Sequence, residues 1–182
     1  ITVIGFVLTK PAIRKILRNQ DEYFKYLYSK YTLYFDYYVP ELKSASKLLP
    51  SEQEMLDAMI YVAHNYPKVY PVAELLQNKT NQMTCYSLNK LTLLPDGKEV
   101  KCRYLVYEES DFETTPIDYS TNEFIIESHL KRHDCFNCSW FERCQFRCFV
   151  QADWKDLERL EDCMFRMFFE EMSQEGLLLN EQ

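Results

Sequence analysis

Apolar positions in the first third of the chain alternate between runs typical of strands and spacings typical of helices. Residues 2–8 form a continuous apolar run, which predicts a strand buried on both faces. Residues 11–30 carry apolar side chains at helical spacing, and Pro11 suits the first turn of a helix. Thr32–Val39 is a β-branched and aromatic run that Pro40 ends, which predicts a second strand.

A second helix is predicted from Ser51 to about Asn65, because Ser51 and Glu54 have the spacing of a capping box. The order strand, helix, strand, helix favours an α/β fold with parallel strands. Two such units cannot close a barrel and leave a strand edge unpaired. Together with the start of the chain at Ile1, directly in an apolar run, this favours a chain cut at the beginning of a buried strand.

The rest of the chain reads as a separate cysteine-rich region. Prolines mark a linker at 67–80, with a short helix near 71–76, and Pro95-Asp96-Gly97 between two β-prone runs predicts a hairpin turn. A final helix is expected from about Trp154 to Ser173, with Cys163 in its middle and Gly176 as its stop. The predicted division is 1–66, the linker 67–80, the cysteine-rich region 81–176 and a tail at 177–182.

Charge and hydropathy exclude several function classes. The formal net charge of −7 argues against a nucleic-acid-binding surface, which needs clustered Lys and Arg. No apolar run is long enough to span a membrane, and no basic segment precedes the first one as in a signal peptide. We therefore expect a cytoplasmic protein with neither nucleic acid nor membrane as a partner.

The seven cysteines carry the most specific signal. They follow the pattern Cys-x11-Gly-x4-Cys, a gap, Cys-x2-Cys-x5-Cys-x3-Cys, a second gap and a last Cys. Their odd number and the absence of an export signal disfavour a disulfide framework. Thiolates suit zinc or iron–sulfur clusters, and seven exceed the four that one centre needs, so the count predicts two metal centres. The predicted ligands are Cys85, Cys102, Cys135, Cys138, Cys144, Cys148 and Cys163.

Ligand type alone leaves two interpretations open. Zinc in one or two all-cysteine sites would staple a small domain with little core. Structural zinc sites are closed, however, and seven ligands leave one site incomplete. An iron–sulfur cluster can keep an open iron or take a ligand other than cysteine, so the odd number favours clusters.

With Gly97, this array resembles the seven-cysteine signature of the SPASM domain over roughly residues 80–170. SPASM domains follow radical SAM barrels, and residues 1–66 resemble the last two βα units of such a partial (β/α)6 barrel. The resemblance implies a small domain of β-hairpin, knuckle loop and C-terminal helix with two auxiliary 4Fe–4S clusters. It assigns Cys85, Cys102 and Cys148 to the first cluster. It assigns the remaining four thiolates to the second: Cys135, Cys138, Cys144 and Cys163.

The first of these clusters would be one ligand short. Many family members carry a further cysteine just before the first one, whereas residues 78–84 here contain none. An open iron could bind a substrate thiolate. The Cys-x3-Cys-x2-Cys motif that holds the radical SAM cluster does not occur in the sequence, so activity from these residues alone is not expected.

The resemblance further implies an oxidoreductase that matures peptides. A full-length enzyme would also use S-adenosyl-L-methionine and a third 4Fe–4S cluster, modify a peptide or protein side chain, and accept electrons from a donor such as a flavodoxin or ferredoxin. Two rival functions are a zinc-stapled binding module and a non-catalytic scaffold that binds a peptide.

Several other side chains have a functional and a structural interpretation. Asp36 interrupts an apolar strand and would either face a barrel lumen or be buried and paired. His64 is expected to make a favourable contact with a helix dipole, and His129 and His133 to face solvent. Five aromatic residues are expected to shield the metal centres or to pack in the core. They are Phe136, Trp140, Phe141, Phe146 and Phe149.

Overall fold

The computed structural model describes residues 2–38, 47–77, 92–93, 97, 99–100, 134–144 and 163–178. Two strands, β1 (Val3–Leu8) and β2 (Thr32–Tyr37), pair in parallel from Val3 opposite Thr32 to Leu8 opposite Tyr37. The predicted parallel pairing is confirmed. Tyr70 extends this sheet on the far side of β2, since its N–H donates to the Leu33 carbonyl at 2.9 Å.

The connection from β1 to β2 consists of two helices, so the single helix predicted over 11–30 is wrong. Helix α1 (Lys10–Leu17) ends where Asn19 adopts a left-handed conformation with φ 55°. The Asn19 N–H donates to the Ile16 carbonyl and the Gln20 N–H to the Lys15 carbonyl, which together form a Schellman motif.

Helix α2 (Glu22–Lys30) restarts immediately after this break because Asp21 caps it. The carboxylate of Asp21 accepts a hydrogen bond of 2.8 Å from the Phe24 N–H. Apolar spacing runs through both helices, so periodicity alone did not show the interruption. The polar sequence Asn19-Gln20-Asp21 causes the helix to break here, because Asn tolerates a left-handed backbone and Asp favours the N-cap position.

Helix α3 (Glu52–Asn65) begins as predicted. The Ser51 hydroxyl accepts a hydrogen bond from the Glu54 N–H, and the Glu54 carboxylate accepts one from the Ser51 N–H at 2.9 Å. The same carboxylate binds Arg14 of α1 at 3.0 Å and Lys10 at 3.6 Å. One residue therefore caps α3 and fixes it against α1.

The short helix predicted near 71–76 is confirmed as α4 (Val72–Leu76), which follows a cis Tyr70–Pro71 peptide bond. Val72 and Leu75 are fully buried, so this part of the predicted linker packs in the core. The hairpin is also confirmed: β3 (Thr92–Leu93) pairs antiparallel with β4 (Glu99–Val100), and Gly97 between them has φ +84°.

The last described helix, α5 (Met164–Gln174), packs on α3. It ends in a second Schellman motif, in which Gly176 has φ +70° and the Leu177 N–H donates to the Met172 carbonyl at 2.9 Å. The predicted stop at Gly176 is confirmed. Residues 153–162, where the start of this helix was predicted, lie outside the described residues.

Helices from both ends of the chain share one hydrophobic core with the inner face of the sheet. Leu8, Leu33 and Phe35 supply the inner face, and five apolar residues of α5 join them. The predicted boundary at 67–80 between two regions of the chain stays a prediction. In the structure, α5, from the second region, packs on α3 in the first. The residues from α5 are Met164, Phe165, Phe168, Phe169 and Met172.

The outer face of the two strands is open within the described part of the chain. Val3 and Val7 of β1 are 59% and 47% exposed, and Asp36 of β2 is exposed on the same face. The prediction of a strand buried on both faces is therefore wrong for β1, because the described helices cover only one side of the sheet. Among the described residues, no helix is long and apolar enough to cross a bilayer.

Candidate metal centre

The cysteine knuckle, residues 134–144, is a chain of tight turns. Asp134 has a positive φ of 51°, and its carboxylate accepts a hydrogen bond of 2.5 Å from the side-chain amide of Asn137. Cys135–Asn137 forms a short 3₁₀ turn that is closed by the Cys138 N–H donating to the Cys135 carbonyl at 3.0 Å. The Cys-x2-Cys pair is thus fixed at the two ends of one turn.

The second half of the knuckle continues in the same way. The Phe141 N–H donates to the Cys138 carbonyl at 3.1 Å, and the Cys144 N–H donates to the Phe141 carbonyl at 3.3 Å. Each of these bonds spans three residues, so the chain advances in compact steps from one cysteine to the next. The x5 spacing between Cys138 and Cys144 corresponds to two such steps.

Trp140 anchors the knuckle to α5. Its indole ring stacks on the Phe169 ring, with centroids 5.4 Å apart and planes inclined by 19°. Trp140 and Cys144 both pack against the hydrophobic core. The five aromatic residues predicted to shield the metal centres therefore differ in role. Trp140 packs in the core, whereas Phe136 is 53% exposed and its ring centroid lies 5.4 Å from that of Phe141. Phe146 and Phe149 lie outside the described residues.

Cys163 lies at the start of α5, so its predicted position in the middle of a helix is wrong. Its backbone is extended, with φ −72° and ψ 111°, and it serves as the N-cap residue. Its carbonyl accepts the first helical bond, from the Met167 N–H at 3.1 Å. Cys163 also packs against the core, six residues before the Phe169 ring on which the knuckle sits. Six residues of helix correspond to about 9 Å along the axis, so the knuckle packs on α5 within two turns of Cys163.

The donor chemistry of these residues fits a thiophilic metal. Four cysteines, Cys135, Cys138, Cys144 and Cys163, are thiols and are partly buried. Within the described ranges, however, no group of three or more His, Cys, Asp or Glu residues is placed to hold a metal ion. The structure brings the knuckle and α5 together without gathering the four sulfurs at one point.

The remaining predicted ligands, Cys85, Cys102 and Cys148, lie outside the described residues, as do His129 and His133. Their assignment to a first cluster stays a prediction. Gly97 is described, and its positive φ is the backbone requirement that the hairpin turn imposes.

His64 and Asp36 differ from their expected surroundings. His64 lies in the last turn of α3, as its dipole contact requires, but its Nε2 atom also lies 3.0 Å from a carboxylate oxygen of Glu175, just after α5. This link between α3 and α5 was not predicted, because the two residues are far apart in sequence. Asp36 is exposed in this structure, so the expectation of a buried, paired carboxylate is not met.

Sequence reasoning also missed a tyrosine pair beside the open face. The rings of Tyr34 and Tyr70 stack at 5.1 Å, inclined by 26°. Burial raises the pKa of the Tyr70 phenol to about 12, and the hydrogen bond and charge of Glu74 add to this. The phenol therefore stays neutral at physiological pH. The pair depends on a backbone bridge between residues 34 and 70, which are far apart in sequence, so no local sequence pattern predicts it.

Comparison with protein-family models, with curated proteins and with solved structures found no match. The interpretation of this site therefore depends on the cysteine spacing and on the geometry of the described residues.

Proposed function

We propose that the cysteine-rich region binds two auxiliary 4Fe–4S clusters in a SPASM-type domain, as part of a radical SAM oxidoreductase that modifies a peptide or protein side chain. One observation carries the proposal: seven cysteines and one glycine follow the complete SPASM spacing, and that glycine has the positive φ of a hairpin turn between β3 and β4. The strand–helix order and the parallel pairing of β1 and β2 agree with the end of a partial barrel.

The seven cysteines would bind the two clusters in two sets. Cys135, Cys138, Cys144 and Cys163 would hold one cluster, and Cys85, Cys102 and Cys148 the other. Bound clusters supply one-electron transfer and, at an iron with an open position, a site for a substrate thiolate. The stack of Trp140 on Phe169 packs one side of the knuckle against α5, while Phe136 of the same loop is exposed, and solvent access is one determinant of a cluster's potential.

A peptide or protein substrate and a protein electron donor, of the flavodoxin or ferredoxin kind, follow from the same proposal, as does a cytoplasmic location. S-adenosyl-L-methionine and its own 4Fe–4S cluster would be bound by residues other than these seven cysteines.

The test of the proposal starts with anaerobic reconstitution of the chain with iron and sulfide. We expect a brown protein that absorbs visible light and contains about eight irons per chain.

Single substitutions then separate the two sets of ligands. Cys135→Ser should lower the iron content by about half, because one four-iron cluster is lost while the other set is intact. The exposed Ser139→Ala, in the same loop, is the matched control and should retain the full content. A colourless chain that takes up zinc in preference to iron would decide against the proposal.

Binding of zinc instead of iron has its own support in the structure. The hydrogen bonds of the knuckle are local turns, and a cysteine pair across one turn is a geometry that structural zinc also uses. A zinc-stapled binding module is therefore the alternative function. Competition between the two metals under anaerobic conditions, followed by metal analysis, distinguishes them.

A further inference from the structure

The geometry of the Cys135–Cys138 turn suits a bond between its own two sulfurs. The Cys138 N–H donates to the Cys135 carbonyl at 3.0 Å, which closes a turn over four residues. The Cα atoms at the ends of such a turn lie within about 7 Å of each other. Disulfides join residues whose Cα atoms are about 4.4–6.8 Å apart, so rotation of two side chains can bring the sulfurs together without refolding the loop.

These two cysteines also differ from the other two described thiols in their surroundings. Cys144 and Cys163 pack against the hydrophobic core, whereas Cys135 and Cys138 do not belong to that cluster. The neighbours of the pair are open to solvent, since Phe136 is 53% exposed and Asn137 and Ser139 are exposed. All four described thiols are partly buried, but Cys135 and Cys138 lie beside exposed residues and not against the core, which favours oxidation of this pair over Cys144 and Cys163.

We propose that Cys135 and Cys138 form a reversible disulfide in the metal-free chain, and that this bond prevents metal loading of the knuckle. The inference rests on the proposed function in one respect only, namely that the same sulfurs bind metal. Metal ligation needs cysteine as thiolate, so a sulfur in a disulfide is not a ligand. Cytosolic disulfides, where they occur, are usually transient and act in catalysis or redox sensing.

The oxidant in this scheme is a small disulfide of the glutathione type. One cysteine thiolate attacks a sulfur of oxidised glutathione, which forms a mixed disulfide and releases one glutathione thiolate. The second cysteine thiolate then attacks the protein sulfur of the mixed disulfide and releases the second glutathione. The two protein thiols lose two electrons and two protons in total, and these electrons and protons end in two molecules of reduced glutathione.

The first test measures the bond itself. The metal-free chain, shown to be folded by circular dichroism, is incubated with oxidised glutathione, its remaining thiols are alkylated, and its peptides are mapped by mass spectrometry. We expect a Cys135–Cys138 linkage that dithiothreitol reverses. Cys144→Ser should form the same linkage, and Cys138→Ser should carry glutathione on Cys135 instead. Seven alkylated cysteines after incubation, or a bond mapped to other cysteines, would overturn the proposal.

The second test measures the consequence for loading, with zinc as the probe. The oxidised chain should bind less zinc than the reduced chain, and dithiothreitol should restore the difference. Chain that is loaded with zinc before the oxidant is added should resist formation of the bond. Equal zinc uptake by both forms would overturn the control of loading even if the bond exists.

Failure of the iron–sulfur proposal looks different from failure of this one. A chain that forms the bond and binds zinc, but never incorporates iron, contradicts the clusters and leaves the redox control intact. A chain that incorporates about eight irons but never forms the bond contradicts only the redox control.

Discussion

Helix α3 and the cysteine knuckle both contact α5, but they are held in place by different forces. The helix buries six side chains in the core and has a complete capping box. None of the knuckle residues is fully buried; local turns shape the loop, and Trp140 and Cys144 pack it against the core. The conformation of α3 therefore follows from its own sequence and the core, whereas the position of the knuckle depends on α5. The buried residues of α3 are Met55, Leu56, Ala58, Met59, Val62 and Ala63.

The largest effect is expected from truncating the core side of α5, the helix that α3 and the knuckle both contact. Phe168 of α5 is completely buried, and truncating a buried Phe to Ala costs about 3–5 kcal/mol through lost transfer energy and a cavity. Phe168→Ala should lower the free energy of unfolding by that amount in a urea titration. Glu171→Ala, on the exposed side of the same helix, should change it by no more than about 0.5 kcal/mol. Equal effects of the two substitutions would contradict the shared core.

Trp140→Ala should release the knuckle and leave α3 in place. The substitution removes the stack on Phe169 and a partly buried surface, with a cost of about 2 kcal/mol. Amide hydrogen exchange should become faster in residues 134–144 and stay unchanged in α3. Trp140→Phe retains a ring and should keep most of the protection. If exchange in α3 accelerates as much as in the knuckle, the two regions are not independent.

Ser51→Ala should affect α3 and not the knuckle. The Ser51 hydroxyl accepts a hydrogen bond from the Glu54 N–H, and loss of such a cap costs about 1 kcal/mol. Ser139→Ala, in the knuckle, makes the same chemical change at an exposed position and serves as the control. Thermal unfolding of the two variants checks the difference, and a lower Tm for Ser139→Ala than for Ser51→Ala would reverse the comparison.

The smallest expected effect is a dependence on pH at the start of α3. Burial tends to raise the pKa of Glu54, but hydrogen bonds from the Ser51 N–H and Arg14, with the charges of Lys10 and Arg14, lower it below its ordinary value of 4.5. The folded chain therefore binds this proton less readily than the unfolded chain. The stabilisation is present above about pH 4.5 and is lost as the pH falls through the lowered pKa.

For partly exposed ion pairs this amounts to less than about 1 kcal/mol. Urea titrations at neutral and acidic pH should show the wild type losing more stability on acidification than Glu54→Gln, whose side chain does not ionise. Parallel losses in both proteins would exclude Glu54 as the cause.

The predictable parts of this molecule are those in which one short stretch of sequence sets the backbone. Ser51 and Glu54 predicted a helix start, and Gly97 and Gly176 predicted two positions of positive φ, because each signal acts within a few residues. The parallel pairing followed from element order. The cap and the two glycine positions depend little on the rest of the chain.

The features that could not be predicted arise from competition or from distant contacts. The helix breaks at Asn19 although the apolar period continues through it, and Cys163 is an N-cap although the helix was predicted to begin near Trp154. The exposed face of β1 and the Tyr34–Tyr70 stack depend on which elements cover the sheet, and local patterns do not contain that information. For the cysteines, the grouping into two sets is what the family resemblance implies, and local patterns do not fix the separation of the sulfurs.

Helix α3 connects to different neighbours at its two ends, to Arg14 near its start and to Glu175 near its end. Its length therefore acts as a spacer of about 21 Å over 14 residues. Insertion of one alanine in its middle would rotate one attachment by about 100° relative to the other. The number of residues in α3, and not only their identity, therefore determines how α1 at one end and the C-terminal end of α5 at the other are oriented relative to each other.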